Sequence, residues 1–293
     1  LYGLVPFMLA GLICAVRKRL RSGTYETIHA HWIIPQAFCA CIARGTGNTP
    51  ILTTSHGGDL FGLRGIPFRF VKTWTLARSR RISVVSHYMR DVLVAEYGVP
   101  AERVHVLPMG VDLSQRFLAS SDIERDAARI VFVGRLVGKK GVAVLIEAVR
   151  IVRTWCPDVK LDIVGDGPMR EALETQAKDC GLADAVRFLG ALAQEQIPRF
   201  LQAATVAVVP SVVEEGGDQE GLGLVAIEAM GCGCPVVASD LPAIRDVVQH
   251  ERTGLLATPG DAKNLANAIA RLLADPKLVR ELTMNASVFV NLH

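Results

Sequence analysis

The chain lacks the residue clusters that usually hold a metal ion. It has no Asp-x-Asp motif near a predicted strand end and no His-rich group with ligand spacing. Its seven cysteines include two close pairs, at positions 39 and 41 and at 232 and 234, and neither pair has a matching pair downstream. We therefore predict no metal, and we interpret the cysteines as reduced, mostly buried thiols of a cytoplasmic protein.

A long uninterrupted apolar segment is also missing. Residues 1–16 carry no charge, but Pro6 interrupts them and Arg17 begins a basic run. Sixteen helical residues extend about 24 Å, whereas the hydrocarbon core of a bilayer is roughly 30 Å thick. The segment predicts a buried or interfacial helix rather than a membrane span.

A complete dinucleotide fingerprint is absent as well. Gly165-Asp-Gly167 would need a third small residue at position 170, where Arg170 stands. This argues against a dehydrogenase. The chain also shows no internal repeat of about 20–50 residues, which excludes solenoid and propeller architectures.

The net charge is small but unevenly distributed. Residues 1–115 carry 13 basic and 6 acidic side chains, a balance of +7, and residues 116–293 carry 19 and 23, a balance of −4. The basic half either faces an anionic partner or has a surface bias without a partner. Together with the basic run after residue 16, it suggests peripheral contact with anionic lipid on the inner face of the membrane. We predict no nucleic-acid partner.

Short apolar strands alternate with helical patterns along the whole chain, which predicts an α/β protein with parallel sheets. At 293 residues the chain has room for two cores. We place a first domain at 1–115, a polar aperiodic linker at 116–128, a second doubly wound domain at 129–275 and a helical segment at 276–293. The predicted strands are 27–31, 51–55, 82–86, 104–107, 130–133, 161–164, 186–189, 206–209 and 236–238.

Two carboxylates eight residues apart, Glu220 and Glu228, flank the entrance to a predicted helix over 224–230. A helix entered from a loop presents free N–H groups and the positive end of its dipole, which suits an anion. Gly221 and Gly223 would let a phosphate approach the backbone. A nucleotide sugar, with a diphosphate between two sets of hydroxyls, fits this arrangement. The alternative is a pair of solvated charges beside an ordinary helix.

The segment over 220–239, E-G-L-G-L-x-x-I-E-A-M-x-x-G-x-P-V-V-A-S, resembles the E-x7-E signature of retaining glycosyltransferases of family 4. It departs from the family at Gly231, where Ala is common. The resemblance implies the GT-B fold, in which two Rossmann-like doubly wound domains face each other across a cleft. It further implies that Glu228 binds ribose hydroxyls and that Glu220 is a catalytic residue that binds the sugar hydroxyls. The remaining donor-binding positions of this segment are Gly221, Leu222, Gly223 and Leu224.

A basic loop follows the first strand of the second domain. Basic side chains beyond the carboxyl end of a strand can neutralise a diphosphate leaving group, although this loop could equally be a solvated one. It resembles the family's G-R-x-x-x-x-K-G segment, which implies catalytic phosphate contacts for Arg135 and Lys140, a donor contact at Gly134 and no assignment for Lys139. A similar G-x-G-P loop makes Gly165 a further donor contact.

Two histidines, His31 and His56, fall at the ends of predicted strands of the first domain, where a histidine is often structural. His56-Gly-Gly-Asp59 resembles the H-G-x-D loop of these transferases, which implies that His56 reaches the donor sugar and takes part in catalysis. The turn at 108–112 resembles the family's P-N-G-V-D turn, but Met109 replaces the Asn. We therefore assign this turn to structure.

The resemblance implies a metal-independent, retaining glycosyltransferase with no cofactor beyond its donor substrate. It would move a hexose-type sugar from a UDP- or GDP-sugar to a hydroxyl of a saccharide or lipid-linked acceptor, in polysaccharide or glycolipid biosynthesis. The leaving phosphate would take the acceptor proton. Two alternatives remain: a nucleotide-sugar epimerase of GT-B type, which would need an acid–base pair, and a non-catalytic remnant that only binds nucleotide.

Family members open with a strand, a glycine-rich loop and a helix ahead of the region that matches residue 1. Here the first predicted strand is already 27–31. The resemblance therefore predicts an N-terminally truncated chain with an incomplete first domain. It also predicts that the helical segment over 276–293 is cut short.

Overall fold

The computed structural model describes residues 2–120 and 122–292. The chain forms two compact units, Leu1–Pro108 with Glu215–Gly221, and Met109–Glu214 with Leu222–His293. Each unit contains one sheet, and every strand pair in both sheets is parallel. The predicted α/β class with two Rossmann-like domains is confirmed.

The first unit has a four-stranded sheet in the order β1-β2-β3-β4. Its elements are α1 Val5–Ser22, β1 Ile28–His31, α2 Phe38–Arg44, β2 Ile51–Ser55, α3 Gly58–Phe61, α4 Ile66–Arg78, β3 Arg81–Val84, α5 His87–Tyr97 and β4 Val104–Val106. Local signals set the ends of α5. The Ser86 hydroxyl accepts a hydrogen bond from the Met89 N–H, and Gly98 ends the helix in the left-handed conformation.

Helix α1 differs from the expectation of a buried helix, because none of its described residues is fully buried. The residues that are partly covered lie at helical spacing: Leu9, Leu12, Ile13, Val16 and Leu20. Other apolar side chains stay in solvent, among them Phe7, which is 75% exposed. The interfacial interpretation therefore stays open. Among the described residues, no helix combines the length and apolar character that crossing a membrane requires.

The second unit has a six-stranded sheet in the order β10-β9-β8-β5-β6-β7. Its elements are β5 Arg129–Val133, α6 Val142–Val152, β6 Lys160–Val164, α7 Arg170–Asp179, β7 Val186–Gly190, α8 Ile197–Ala203, β8 Val206–Val209, α9 Leu224–Gly231, β9 Val236–Ser239, α10 Pro242–Arg245, β10 Leu255–Ala257, α11 Ala262–Ala274 and α12 Pro276–Leu292. Strands run outward in both directions from the β5–β8 pair. The sheet therefore has a topological switch point between β5 and β8.

The core of the second unit forms because its strands are apolar on both faces and its helices cover both sides. Four of the five residues of β5 and of β6 are buried. Leu145, Ile146 and Val149 of α6 are fully buried in the same cluster as Ile269 of α11. Asp261 caps α11 by accepting a hydrogen bond from the Asn264 N–H.

The boundary between the units differs from the predicted domain end at 115 and linker at 116–128. Residues 109–128 belong to the second unit. Phe117 is 1% exposed, the Gln202 side chain donates to the Leu118 carbonyl, and the Asp126 N–H donates to the Ala203 carbonyl. Most of these contacts use backbone atoms, which place no demand on side-chain type. The segment can therefore be polar and aperiodic in sequence and still pack against the second unit.

The segment over 109–128 also explains why Gly231 stands where Ala is common in the family pattern. A β-carbon at Gly231 would lie 2.6 Å from the Phe117 carbonyl oxygen and would overlap the Leu113 side chain. Alanine does not fit without a shift of this backbone, so Gly231 matches the packing of this particular chain.

Candidate active site

Three loops meet at the carboxyl ends of β6, β5 and β8, beside the switch point. The loop after β5, residues 134–141, lies between the other two. On one side the Leu136 N–H donates to the Asp166 carbonyl, 3.0 Å away. On the other side the Val212 N–H donates to the Lys139 carbonyl, 2.8 Å away. Backbone hydrogen bonds thus fix the central loop where an α/β sheet usually binds its ligand.

Glycines allow these loops to approach so closely. Gly165 has φ +136°, and a β-carbon there would overlap the Gly134 carbonyl oxygen. Gly141 has φ +65°, and a β-carbon there would overlap the Pro210 carbonyl oxygen. Both positions combine a backbone conformation that favours glycine with a lack of space for any side chain. The structure therefore brings the predicted residues Gly134 and Gly165 together.

The central loop also carries the predicted basic residues. Residues Gly138–Lys140 form a 3₁₀ turn. The Cδ atom of Lys140 lies 3.9 Å from the β-carbon position of Gly134, so the aliphatic stem of this lysine runs beside the glycine. Lys140 is half-buried and Arg135 is exposed. Both cations belong to the loop at the switch point, where they can act on an anion.

Helix α9 starts abruptly after Gly223. This glycine is in the left-handed conformation, with φ 85° and ψ 49°. A β-carbon there would lie 2.6 Å from Cδ1 of Ile244, so both the conformation and the space favour glycine. Leu222 is buried ahead of it, and Leu224 is the first helical residue. The Ala226 N–H donates back to the Gly223 carbonyl, so the N–H groups ahead of it are those that an anion at this helix end would engage.

Glu228 lies one turn into α9 and is half-buried. Burial raises the pKa of its carboxyl group above the ordinary value. A carboxylate that is costly to ionise in the folded protein is well suited to accept hydrogen bonds from ligand hydroxyls, because such bonds stabilise its charged form.

We expect Glu228→Gln to stabilise the protein without ligand while weakening donor binding. Because its folded-state pKa is raised, Glu228 holds its proton to a higher pH in the folded state than in the unfolded state. Stability therefore falls as pH rises through this range, and the ionised group opposes folding at pH 7. Glutamine removes that cost, so the melting temperature at pH 7 should rise, and the gain should shrink as pH falls towards about 4.

The same substitution should weaken nucleotide-sugar binding by about 1–3 kcal/mol, the scale for a hydrogen bond to a charged group. Thermal melts from pH 4 to 8 and calorimetric titration with donor measure the two effects. Glu171→Gln, on the exposed start of α7, is the control. A lower melting temperature at pH 7, or unchanged donor affinity, would contradict the assignment.

The His56 loop of the first unit is held by a buried carboxylate. Asp59 is 1% exposed and accepts hydrogen bonds from the backbone N–H groups of Ile33 and His56, at 2.7 and 2.9 Å. Lys72 is equally buried and donates to the carbonyls at the end of α3, both 2.7 Å away. Burial lowers the pKa of Lys72 to about 8, although the negative charge of Asp59 opposes the shift. The hydrogen bonds of Asp59 and Lys72 thus hold the His56 loop rigidly in place.

The segment that carries Glu220 packs against this same loop. A β-carbon at Gly221 would lie 2.8 Å from the His56 carbonyl oxygen, and one at Gly57 would lie 2.9 Å from the Cα of Gly221. Glu220 is half-buried beside this contact. The structure therefore brings together two predicted catalytic positions, His56 and Glu220, that are far apart in sequence.

The predicted residues fall into two groups. His56, Glu220 and Gly221 belong to the first unit, and Gly134, Arg135, Lys140, Gly165, Leu222, Gly223, Leu224 and Glu228 belong to the second. The pattern of residues gave no hint that the chain passes from one unit to the other between Gly221 and Leu222.

The sequence assigned no functional role to His31, and no pattern in it pointed to Ser211. His31 Nδ1 lies 2.9 Å from His56 Nε2, so the two imidazoles share a hydrogen bond. His31 ends β1 and His56 directly follows β2, and these positions at the ends of neighbouring parallel strands were a usable signal. Ser211 directly follows the Pro at the end of β8, and its buried hydroxyl has no hydrogen-bond partner within the described part of the chain. Burial of the ring lowers the pKa of His56, and the negative charge of Asp59 opposes this shift.

In residues 2–120 and 122–292, no group of three or more His, Cys, Asp or Glu side chains is arranged to hold a metal ion. The loops at the switch point instead offer N–H groups and basic side chains. Their chemistry suits an anionic ligand such as a diphosphate.

Two family patterns match consecutive parts of the chain. Residues 2–115 match glycosyltransferase family 4, and residues 114–288 match glycosyl transferases group 1. The chain therefore belongs to the group 1 glycosyltransferases, a family of enzymes, and to its family 4-like branch with the GT-B fold.

The curated relatives agree with this assignment. The chain is 34% identical to the amylovoran biosynthesis glycosyltransferase AmsK of Erwinia amylovora, over 75% of this chain and 54% of that protein. It is 33% identical to a GDP-mannose-dependent alpha-(1-6)-phosphatidylinositol monomannoside mannosyltransferase of Mycobacterium tuberculosis, over 92% of this chain and 72% of that protein. The chain thus spans about half of the first relative and about seven-tenths of the second.

Among solved structures, the chain is similar to sucrose-phosphate synthase from Thermosynechococcus elongatus. The TM-score is 0.83 at 28% identity, and the match covers 97% of this chain and 73% of that one. The similarity extends over both units of the chain, as expected for a GT-B protein.

Proposed function

We propose that this chain is the donor-binding and catalytic part of a metal-independent, retaining glycosyltransferase. It moves a hexose-type sugar from a UDP- or GDP-sugar to a hydroxyl acceptor. One observation carries the proposal: the loop with Arg135 and Lys140 is fixed by tight glycine contacts at the switch point of a six-stranded parallel sheet. This position and this chemistry suit a nucleotide diphosphate.

In this proposal the second unit binds the nucleotide part of the donor. The Arg135 and Lys140 cations and the first N–H groups of α9 neutralise the diphosphate, and Glu228 accepts hydrogen bonds from the ribose hydroxyls. His56 and Glu220 of the first unit contact the transferred sugar. The placement of these groups within each unit supports the roles that the family resemblance suggests.

For the reaction, the bond between the anomeric carbon and the diphosphate oxygen breaks, and the acceptor oxygen bonds to the same face of that carbon. The departing phosphate takes the proton of the acceptor hydroxyl, so charge and atoms balance. The basic loop stabilises the negative charge that develops on the leaving diphosphate, which is the main electrostatic demand of the step.

Names of relatives support the donor and product classes. One relative is a GDP-mannose-dependent enzyme acting on a phosphatidylinositol mannoside, and another serves amylovoran biosynthesis. For this chain we propose a nucleotide-sugar donor, a saccharide or lipid-linked acceptor, and a role in polysaccharide or glycolipid biosynthesis.

The first experiment is a thermal-shift screen of the chain with UDP, GDP and their hexose conjugates. A ligand that binds only the folded state raises the melting temperature with concentration. The best donor is then incubated with an acceptor pool, with and without EDTA, and the products are identified. Transfer with the anomeric configuration kept, and unaffected by EDTA, is expected. An epimerised nucleotide sugar, an inverted product, or activity restored only by added Mg²⁺ or Mn²⁺ would overturn the proposal.

We also propose peripheral contact with the inner, anionic face of the membrane through α1. Its exposed apolar residues, such as Phe7 and Met8, are followed by the basic run from Arg17 to Arg21. Because each basic residue near an anionic surface contributes about 1 kcal/mol, the double variant Arg17→Glu/Arg19→Glu should lower liposome partitioning by about tenfold or more.

Sedimentation with vesicles of increasing anionic lipid content, at low and high salt, measures this partitioning. Arg252→Glu, on the exposed surface of the second unit, is the matched control and should bind as the unmodified chain does. Binding that depends on neither salt concentration nor anionic lipid content would rule out this contact.

A further inference from the structure

Trp32, directly after β1, has an unusual backbone conformation. Its φ is 78° and its ψ is 132°, a region that bulky residues rarely adopt. Two hydrogen bonds hold it there. The Trp32 N–H donates to the Thr54 carbonyl at 2.7 Å, and its own carbonyl accepts from the Ala37 N–H at 3.1 Å. Observed strain of this kind concentrates at functional sites.

Core packing does not account for a tryptophan at this position. The residue is 43% exposed. Its indole lies beside Gly58, where a β-carbon would be 3.7 Å from Cη2 of the ring. Glycine would adopt the same backbone conformation without strain. A large aromatic ring is thus kept at the end of a strand, partly in solvent, beside the His56 loop.

Three imidazoles lie near Trp32 in the same unit, on β1 and in the His56 loop. The His31 and His56 imidazoles stack with ring centroids 5.2 Å apart and share the 2.9 Å hydrogen bond. The His29 ring lies against His31 at an interplanar angle of 36°, with centroids 4.3 Å apart. Imidazoles can donate or accept hydrogen bonds, which is what recognition of sugar hydroxyls requires.

The contacts of the His56 loop fall into two sets. The His56 carbonyl and Gly57 contact Gly221, which adjoins Glu220. On the other side, the His56 imidazole contacts His31, and Gly58 lies beside the Trp32 indole. If the donor sugar is on the Glu220 side, as proposed above, the Trp32 side is left for the second substrate.

We propose that Trp32 is the aromatic platform of an acceptor subsite for a saccharide ring, with His31 at its polar edge and His56 between this subsite and the transferred sugar. One face of a pyranose ring presents C–H groups that pack on an aromatic ring, while its hydroxyls need a few well-placed polar partners. The inference rests on the proposed function and specifies the acceptor class: a sugar ring rather than a simple polyol or a lipid head without a ring.

The test compares two acceptor probes in the full chain: methyl α-D-pyranosides, which present a ring, and glycerol, which does not. Donor turnover is measured with each probe. The variant is Trp32→Gly, which relieves the backbone strain, and Trp32→Phe keeps an aromatic ring. Trp155→Ala removes another exposed tryptophan, in the second unit, and serves as the control.

We expect Trp32→Gly to lower the ratio of pyranoside to glycerol transfer about tenfold or more, the size of one aromatic stacking contact. Trp32→Phe should retain most of this ratio, and Trp155→Ala should leave it unchanged. The melting temperature of Trp32→Gly should be equal to or above that of the unmodified chain, because glycine removes the strain. A purely structural tryptophan would instead give a lower melting temperature.

A second measurement does not depend on turnover. With 5-fluorotryptophan incorporated, the ¹⁹F resonance of Trp32, assigned from the Trp32→Phe variant, should shift on titration with methyl pyranosides, while those of Trp74 and Trp155 stay. An unchanged ratio in Trp32→Gly together with an unshifted resonance overturns this inference alone. Absence of donor binding and turnover in the unmodified chain overturns the proposed function on which it rests.

Discussion

Replacing Arg135 or Lys140 by alanine should slow sugar transfer by about 100-fold or more. Both side chains belong to the loop fixed at the switch point, where they can offset the charge that develops on the departing diphosphate. Loss of one preorganised group of this kind commonly costs 10²–10³ in rate. The effect should fall mainly on kcat, because the charge is larger in the transition state than in the bound donor.

Steady-state kinetics with saturating donor measure this loss. Lys139→Ala is the matched neighbour: it removes the same charge from the same loop at a position without an assigned phosphate contact. A loss in Lys139→Ala as large as in Lys140→Ala would show that the loop acts only through its total charge. Rates within about threefold of the unmodified chain for Arg135→Ala and Lys140→Ala would refute their catalytic assignment.

Gly141→Ala and Gly165→Ala should each destabilise the second unit by more than about 3 kcal/mol and abolish nucleotide binding. At each position the new methyl group would overlap a backbone carbonyl oxygen, that of Pro210 or of Gly134, and backbone can relieve such an overlap only by moving. Moving it separates the loops that form the candidate site. Large effects of this kind arise where strain and a steric clash coincide.

Gly181→Ala is the matched control for dihedral strain. Gly181 has φ +69°, close to the φ of Gly141, but a β-carbon there meets nothing within 4 Å. The Gly181→Ala variant should lose only about 1–2 kcal/mol of stability, the cost of a left-handed conformation for a residue with a side chain. Thermal melts and titration with UDP and GDP report the two effects. Equal losses at positions 141 and 181 would show that the close contact between the loops is unimportant.

Much of the secondary structure was predictable because local physics determines it. The predicted strands at 51–55 and 206–209 coincide with β2 and β8, and Ser86 and Gly98 stand at the two ends of α5. Uninterrupted apolar runs, a Ser cap and a closing Gly are short-range signals that do not depend on the rest of the chain. Elements with weaker signals, such as α8, α10 and β10, were missed for the same reason.

The residues of the candidate donor site could be predicted from the sequence, but their arrangement in space could not. The residues Arg135, Lys140 and Glu228 and the glycines around them could be named from spacing and from the family resemblance. That Gly165 lies against Gly134 follows only from the pairing of β5 with β6 and from the reversal of strand order beside β5. Strand order arises from packing over the whole unit, and no short stretch of sequence encodes it.

By itself, the sequence determined the α/β class, the alternation of strands and helices, and the list of groups able to bind a diphosphate, because each depends on neighbouring residues or on a contiguous motif. Only the tertiary structure decided which of these groups meet. It placed Gly221 against His56, paired His31 with His56, and kept Trp32 strained and exposed beside them. These contacts join residues that are 25 or more positions apart, and they form only when parallel strands align their carboxyl ends and a distant segment folds back onto the same unit.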